Sequence, residues 1–142
     1  MDGGKKVNGR KRHILVDTLG LIIMVVVTVA NYGEREGLKD LLKGYLLNSF
    51  HRLRLLWVDS GYSGNPLDIW VKSLKKTHKI RVEVGESKQG KFEVVKKRWV
   101  VERTFSWIYN YRRHSKDYER LTRNSESMIQ ISMISLLLNR LA

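Results

Sequence analysis

With 142 residues, 42% of them hydrophobic, the chain is long enough for one folded domain with a real core. Its 27 Lys and Arg against 14 Asp and Glu leave a net charge of +13, which makes nucleic acid the leading class of partner and an anionic membrane surface a distant alternative. The lack of cysteine excludes disulfides, thiolate metal sites and a cysteine nucleophile, and the longest apolar run, Leu21–Val27 continued to Ala30, is too short to span a membrane.

The first dozen residues, MDGGKKVNGRKR, are glycine-rich and basic. They read as a flexible arm over 1–11 that runs into a strand near Arg12–Thr18 and can reach a phosphate backbone through Lys5, Lys6, Arg10, Lys11 and Arg12. Leu19-Gly20 makes a tight connection to a second strand, Leu21–Ala30, rich in β-branched residues, which suggests an antiparallel hairpin. Leu38, Leu41, Leu42, Tyr45 and Leu46 then recur at helical spacing behind Glu34 and Glu36, whose charge suits a helix N-terminus. Leu53–Val58 is a compact apolar run that stops at Asp59, before the turn formers Ser60-Gly61 and Ser63-Gly64-Asn65-Pro66, so it reads as a central strand. Leu67, Trp70, Val71 and Leu74 give a second amphipathic helix, and Ile80, Val82 and Val84 alternate as a strand. Two helices, 93–114 and 125–141, close the chain; the last is expected to start at Asn124 or Ser125 and to pack the stripe Met128, Ile131, Ile134, Leu138 and Leu141 into the core. Trp57, Trp70, Trp99 and Trp107 are expected in the core as well. The histidines His13, His51, His78 and His114 show no zinc spacing and are expected at the surface or against phosphate. The order β-β-α-β-α-β-α-α specifies an α/β domain whose middle strand runs parallel to a neighbour through a helical crossover.

Two carboxylates stand out. Asp59 sits at the carboxyl end of its strand, where α/β sheets gather ligands, although an aspartate there can also simply start the turn. Glu102 lies within KRWVVERTFSWI (97–108), at the shoulder of a stripe made by Val101, Phe105 and Ile108 and in line with Arg98, Ser106 and Tyr109. A carboxylate at the edge of a buried face needs a partner, either Arg98 one turn earlier or a cation. Together, amid excess positive charge, Asp59 and Glu102 suit a divalent-cation site for phosphodiester chemistry.

The stretches GKKVNGRKRHILVDTLGLI, LLWVDSGYSG and RWVVERTFSWIYNYRRHSKDYER, in this order, resemble the DDE transposases of bacterial insertion sequences, nearest the insertion sequence five group, over Gly3 to Ala142. The resemblance implies a ribonuclease H-like (retroviral integrase-like) α/β fold in which two aspartates and a glutamate bind two Mg2+ or Mn2+ ions for strand cleavage and transfer. Asp59 in VDSGY matches the second aspartate and Glu102 in VVERTF matches the glutamate, while Arg98 matches an arginine that contacts substrate phosphate. Related families often carry a lysine seven residues after the glutamate; here that position is Tyr109, which could stack on a base. Arg103, Arg112 and Arg113 join the DNA-binding set.

In the family the first aspartate lies on a strand upstream of the GKKV motif, so the resemblance covers a catalytic domain without its first strand, with Asp2 and Asp17 as poor surrogates. The expectation is a transposase fragment, inactive alone, or a non-catalytic DNA-binding or interaction fragment that complements an N-terminal transposase segment. It would act on DNA as a homo-oligomer in the bacterial cytoplasm, at the nucleoid and away from the membrane.

Overall fold

The computed structural model describes residues 9–47, 52–59, 65–84 and 98–141. Strands β1 (Arg10–Val16) and β2 (Ile22–Val29) lead to helix α1 (Glu34–Leu47), strand β3 (Leu55–Val58), helix α2 (Asn65–His78), strand β4 (Arg81–Val84) and helix α3 (Arg98–Tyr109). A 3-10 turn at Arg112–His114 then precedes helix α4 (Thr122–Leu141). This is the mixed α/β order read from the sequence, with shifted boundaries, among them the following. Arg10 and Lys11 belong to β1 rather than to an arm, α3 stops at Tyr109 instead of 114, and α4 starts at Thr122, ahead of the expected cap. Lys5, Lys6, Asp2, His51 and the start expected for α3 at 93 fall outside the described residues. No described helix is long and apolar enough to cross a membrane.

β1 and β2 pair antiparallel from Arg10↔Val29 to Leu15↔Met24, with a register shift before Val16↔Ile22. Asp17 builds the turn: its Oδ1 accepts the N–H groups of Leu19 (2.8 Å) and Leu21 (2.9 Å). Gly20 takes φ +86°, a left-handed conformation that glycine adopts without strain, and a Cβ there would stand 2.9 Å from Thr104 Oγ1. Because side chains alternate across a strand, the hairpin serves two cores. On one face Leu15, with Met24 and Val26, packs against Leu38, Leu41, Leu42 and Tyr45 of α1, Leu56 of β3 and Leu74 of α2. On the other face Ile14, Ile22, Val25 and Val27 meet Ile108 and Phe105 of α3 and Ile129 of α4. Burial on both faces is why β2 reads as an unbroken apolar run.

β3 and β4 pair in parallel, Leu55↔Arg81 to Val58↔Val84, with α2 as the crossover between them. They form a second sheet of their own, although Leu56 and Leu74 belong to the core beneath the hairpin.

Three expectations about burial are corrected. The buried residues of α4 are Ser125, Ile129, Ser132 and Met133, whereas Ile131 and Ile134 (56% each), Leu138 (60%) and Leu141 (84%) are exposed. α4 carries apolar residues around much of its circumference, so their spacing does not select a face; its small serines do, because they let polar neighbours approach. Ser125 Oγ donates to Asp117 (2.7 Å), and Ser132 Oγ meets His114 Nε2 at 2.7 Å. Trp57 and Trp99 are exposed, Trp57 because the alternation of β3 turns Leu56 inward and leaves the indole to donate to Glu83 (2.9 Å). His13 and His114 are buried, with ring nitrogens against Thr28 and Ser132 hydroxyls; the ring of His13 lies where a Cβ on Gly37 would overlap it.

Candidate functional site

Asp59 directly follows the last residue of β3, at the carboxyl end of the parallel pair, and is exposed. Glu102 is carried by α3, whose buried line is Val100, Thr104 and Ile108 at i, i+4 and i+8. Thr104 Oγ1 donates to Gly20 O (2.7 Å) and so ties the middle of α3 to the hairpin turn. This line differs from the expected Val101, Phe105 and Ile108, of which the first two are only half-buried. The rotation moves Glu102, Ser106 and Tyr109 fully to the outer face, and Glu102 is exposed rather than held at the shoulder of the core. Desolvation is therefore no reason for its presence.

Several acidic side chains make contacts that hold the fold together. Asp17 holds the hairpin turn, Asp40 accepts Tyr32 Oη (2.6 Å), Glu119 accepts Arg113 (2.6 Å), and Glu126 Oε1 accepts the Val27 N–H (2.8 Å). Asp117 accepts Ser125 Oγ and the Glu119 N–H and pairs with Arg10. Burial opposes ionisation of Asp117, but these hydrogen bonds and the Arg10 charge outweigh it and hold the carboxyl below its ordinary value. No group of three or more His, Asp or Glu suited to a metal occurs among the described residues. Asp59 and Glu102 do offer exposed hard-oxygen donors of the kind Mg2+ takes, which fits the ion in chemistry and leaves further ligands to be found.

The basic residues divide sharply. Arg10 reaches Asp117 (3.2 Å), Ser125 Oγ (2.9 Å) and Arg120 O (2.8 Å), and Arg12 donates to His114 O (3.3 Å). Lys11 donates to Tyr32 O (3.1 Å) and stands 3.8 Å from Glu34. These three, read from sequence as phosphate contacts, pin the hairpin to the segments on either side. The run RKR looked like an arm because a strand whose side chains alternate between two polar rims has the same composition. Arg113 is engaged by Glu119, whereas Arg112 is exposed and lines, with Arg113, Ser115 and Tyr118, an open depression of about 490 Å³. Tyr109 is exposed and stacks on Phe105 with ring centroids 6.3 Å apart. Arg98 opens α3 as its first residue.

Arg103 lies between two indoles, 4.3 Å from the Trp99 ring centroid and 4.8 Å from that of Trp107, and donates to Leu19 O (2.8 Å). Arg140 of α4 covers Trp107 at 4.1 Å. The spacing Trp99, Arg103, Trp107, at i, i+4 and i+8, is the signal in the sequence for this arrangement, in which an arginine contacts both rings and Trp99 stays exposed.

The family described as "Transposase DDE domain" matches residues 1–138. A curated protein of Burkholderia cepacia, "Putative transposase for insertion sequence element IS402", is 30% identical over 123 residues, covering 79% of this chain and 54% of that protein. The chain therefore spans about half the length of that relative. No solved structure matches.

Proposed function

Since the chain belongs to the transposase DDE domain family of bacterial insertion sequences, we propose that it contributes Asp59 and Glu102 to a ribonuclease H-like active site for DNA strand cleavage and transfer. Divalent magnesium bound by such carboxylates supplies Lewis-acid polarisation of phosphate oxygens and lowers the pKa of water. Asp59 would hold an ion at the strand end, and Glu102 would hold one from a helix fixed to the hairpin turn by Thr104 and Arg103. Arg98, Tyr109 and Arg112 would position the DNA backbone and bases. Lys5 and Lys6 are proposed to add phosphate contacts, and the assembly acts as an oligomer on DNA.

The observation that carries this reading is the division of one core between two sheets that are not joined among the described residues. The Ala30 N–H donates to Gly9 O, so odd-numbered residues of β1 make the ladder bonds and the peptide groups of Arg10, Arg12 and Ile14 point away from β2. Among the described residues β1 pairs with β2 alone and β3 with β4 alone. An added strand along these edges would join the sheets, and an aspartate on it could complete the metal site. This favours an interacting fragment that is catalytic once complemented over a purely DNA-binding module.

The test is Mg2+- or Mn2+-dependent strand cleavage of insertion-element end DNA, with the chain alone and with an aspartate-bearing upstream segment supplied in cis or in trans. Cleavage is expected only with the segment and is lost in Asp59→Asn and Glu102→Gln. Cleavage by the chain alone would overturn the need for complementation, and retention of cleavage in both variants would overturn the site.

A further inference from the structure

We propose that the outward stripe of α4 is a homodimer seam, along which a second copy of this chain packs its own α4 parallel and in register. The inference depends on neither DNA nor a metal, and it gives the proposed oligomer a specific surface. Ile131, Ile134, Leu138 and Leu141 are each more than half exposed and follow one another at steps of three, four and three residues. The exposed Asn124 and Ser127 continue the same spacing toward the start of the helix. This is the a and d pattern of a two-stranded coiled coil. The buried residues Ser125, Ile129, Ser132 and Met133 fall at b, c and f, on the opposite side of the helix. The stripe therefore points away from the domain, and packing has fixed α4 as a helix before a partner arrives, which removes an ordering cost from association.

Charge selects the occupant. No seam position is charged, although the chain carries a net charge of +13. Among the described residues the outer faces of α1, α2 and α3 each carry charge, at Lys43, at Lys72 and Lys76, and at Glu102, so the surface that matches the stripe is the same stripe on another copy. Met128, Gln130, Ser135 and Leu137, at the e and g positions that flank the seam, are uncharged, and Arg123, at the remaining g position, would lie against the partner's Met128. Two cationic copies can thus meet without setting like charges against each other. Orientation follows from the polar end of the seam. In parallel register Asn124 and Ser127 each face their own counterpart and the aliphatic residues face one another, whereas reversal would set Asn124 against Leu141 and leave its amide in an apolar setting. Four aliphatic side chains make a patch of roughly 400 Å², large enough to mark an interaction site but about half of what one partner contributes to a standard interface, so the dimer is a weak one.

Sedimentation velocity of the full chain, without DNA or metal, reads the association. Monomer and dimer should exchange with a dissociation constant on the order of 10–100 µM. Ile134→Glu and Leu138→Glu, each at an exposed position, should weaken the dimer about 10-fold or more without lowering the melting temperature. Added salt should strengthen it, because screening relieves repulsion between two copies of net charge +13 and spares an apolar seam, whereas salt weakens DNA binding. A chain that stays monomeric well above that concentration, or that dimerises unchanged in both variants, would overturn the proposal and leave the cleavage reading untouched. Because the chain has no cysteine, Leu141→Cys tests orientation with a short bis-maleimide: cross-linking to itself is expected, and cross-linking only to Asn124→Cys would overturn the parallel register. Slower thiol labelling of monomeric Leu141→Cys when the upstream segment is added would assign the stripe to that segment and overturn the seam.

Discussion

The two sheets are built to different standards. The hairpin strands run for seven and eight residues, are buried on both faces, and have the outer edge of β2 blunted by the Glu126 carboxylate on the Val27 N–H. β3 and β4 are four residues each, and of these eight residues only Leu56 is buried. Glu102 belongs to the first region through α3, whereas Asp59 hangs from the second. One candidate ligand is therefore preset by packing, and the other depends on a short strand with little holding it. A metal site needs both to be placed precisely, so the weaker sheet is where an added strand would have most effect.

The comparison breaks most visibly under truncation of the core. Leu42, fully buried beneath the hairpin, should cost about 2–5 kcal/mol as Leu42→Ala, and Ile129→Ala on the opposite face should cost a similar amount. Denaturant unfolding checks this; a loss well below that range at either position would mean that the face does not clamp the hairpin. Hydrogen exchange sharpens the contrast. Amides of β1 and β2 should exchange near the global unfolding limit and those of β3 and β4 faster, so uniform protection would contradict the unequal sheets.

The Arg10–Asp117–Ser125 cluster comes next in size. Arg10→Ala leaves the partly buried Asp117 without its cation and should destabilise the fold by about 1–3 kcal/mol. If Arg10 is instead a DNA contact, the substitution should leave the melting temperature unchanged and weaken DNA binding.

Acid should weaken the same clamps. His13 and His114 are held below the ordinary value of 6.5, first by burial and then by the neighbouring positive charges of Lys11 and Arg12 respectively; Glu34 and Asp40 oppose this at His13, and the Met128 backbone and Asp117 at His114. For a base with a lowered folded pKa, the unfolded chain binds more protons in the window below 6.5. Stability is thus complete above that value and is lost as pH falls through the window, with Asp117 adding a further loss at lower pH, below its ordinary 3.8. The melting temperature should fall between neutral pH and pH about 5, and His114→Gln should flatten that slope. An unchanged slope would remove His114 from the account.

The smallest effect concerns DNA. Arg112→Ala should weaken binding evenly across sequences and reduce the magnitude of the salt slope by about 1. Loss confined to one sequence would indicate base readout instead.

Most elements were legible because each has one dominant period: alternation at Ile80, Val82 and Val84, helical recurrence at Leu38, Leu41 and Leu42, and an apolar run stopped by Asp59. The exposed face of α4 was not, because Ile131, Ile134 and Leu138 match helical spacing as well as Ile129 and Met133 do, and the deciding contacts come from His114 and Asp117, distant in space until the chain folds. The same holds for Glu102. Its angular position on α3 follows from Thr104 bonding to Gly20, a long-range contact that a local pattern cannot encode. Basic residues carry charge in the sequence whether they face solvent or an internal carboxylate, so Arg10 and Arg12 could be sorted only by the fold.

The central claim is that Asp59 and Glu102 serve one cation site. Trace Mn2+ added to the isotopically labelled chain tests it through paramagnetic broadening of backbone amide signals. Amides next to Asp59 and next to Glu102 should broaden along the same titration curve, and either Asp59→Asn or Glu102→Gln should relieve the broadening at both places. Broadening around one carboxylate only, or relief confined to the substituted residue, would contradict a shared site.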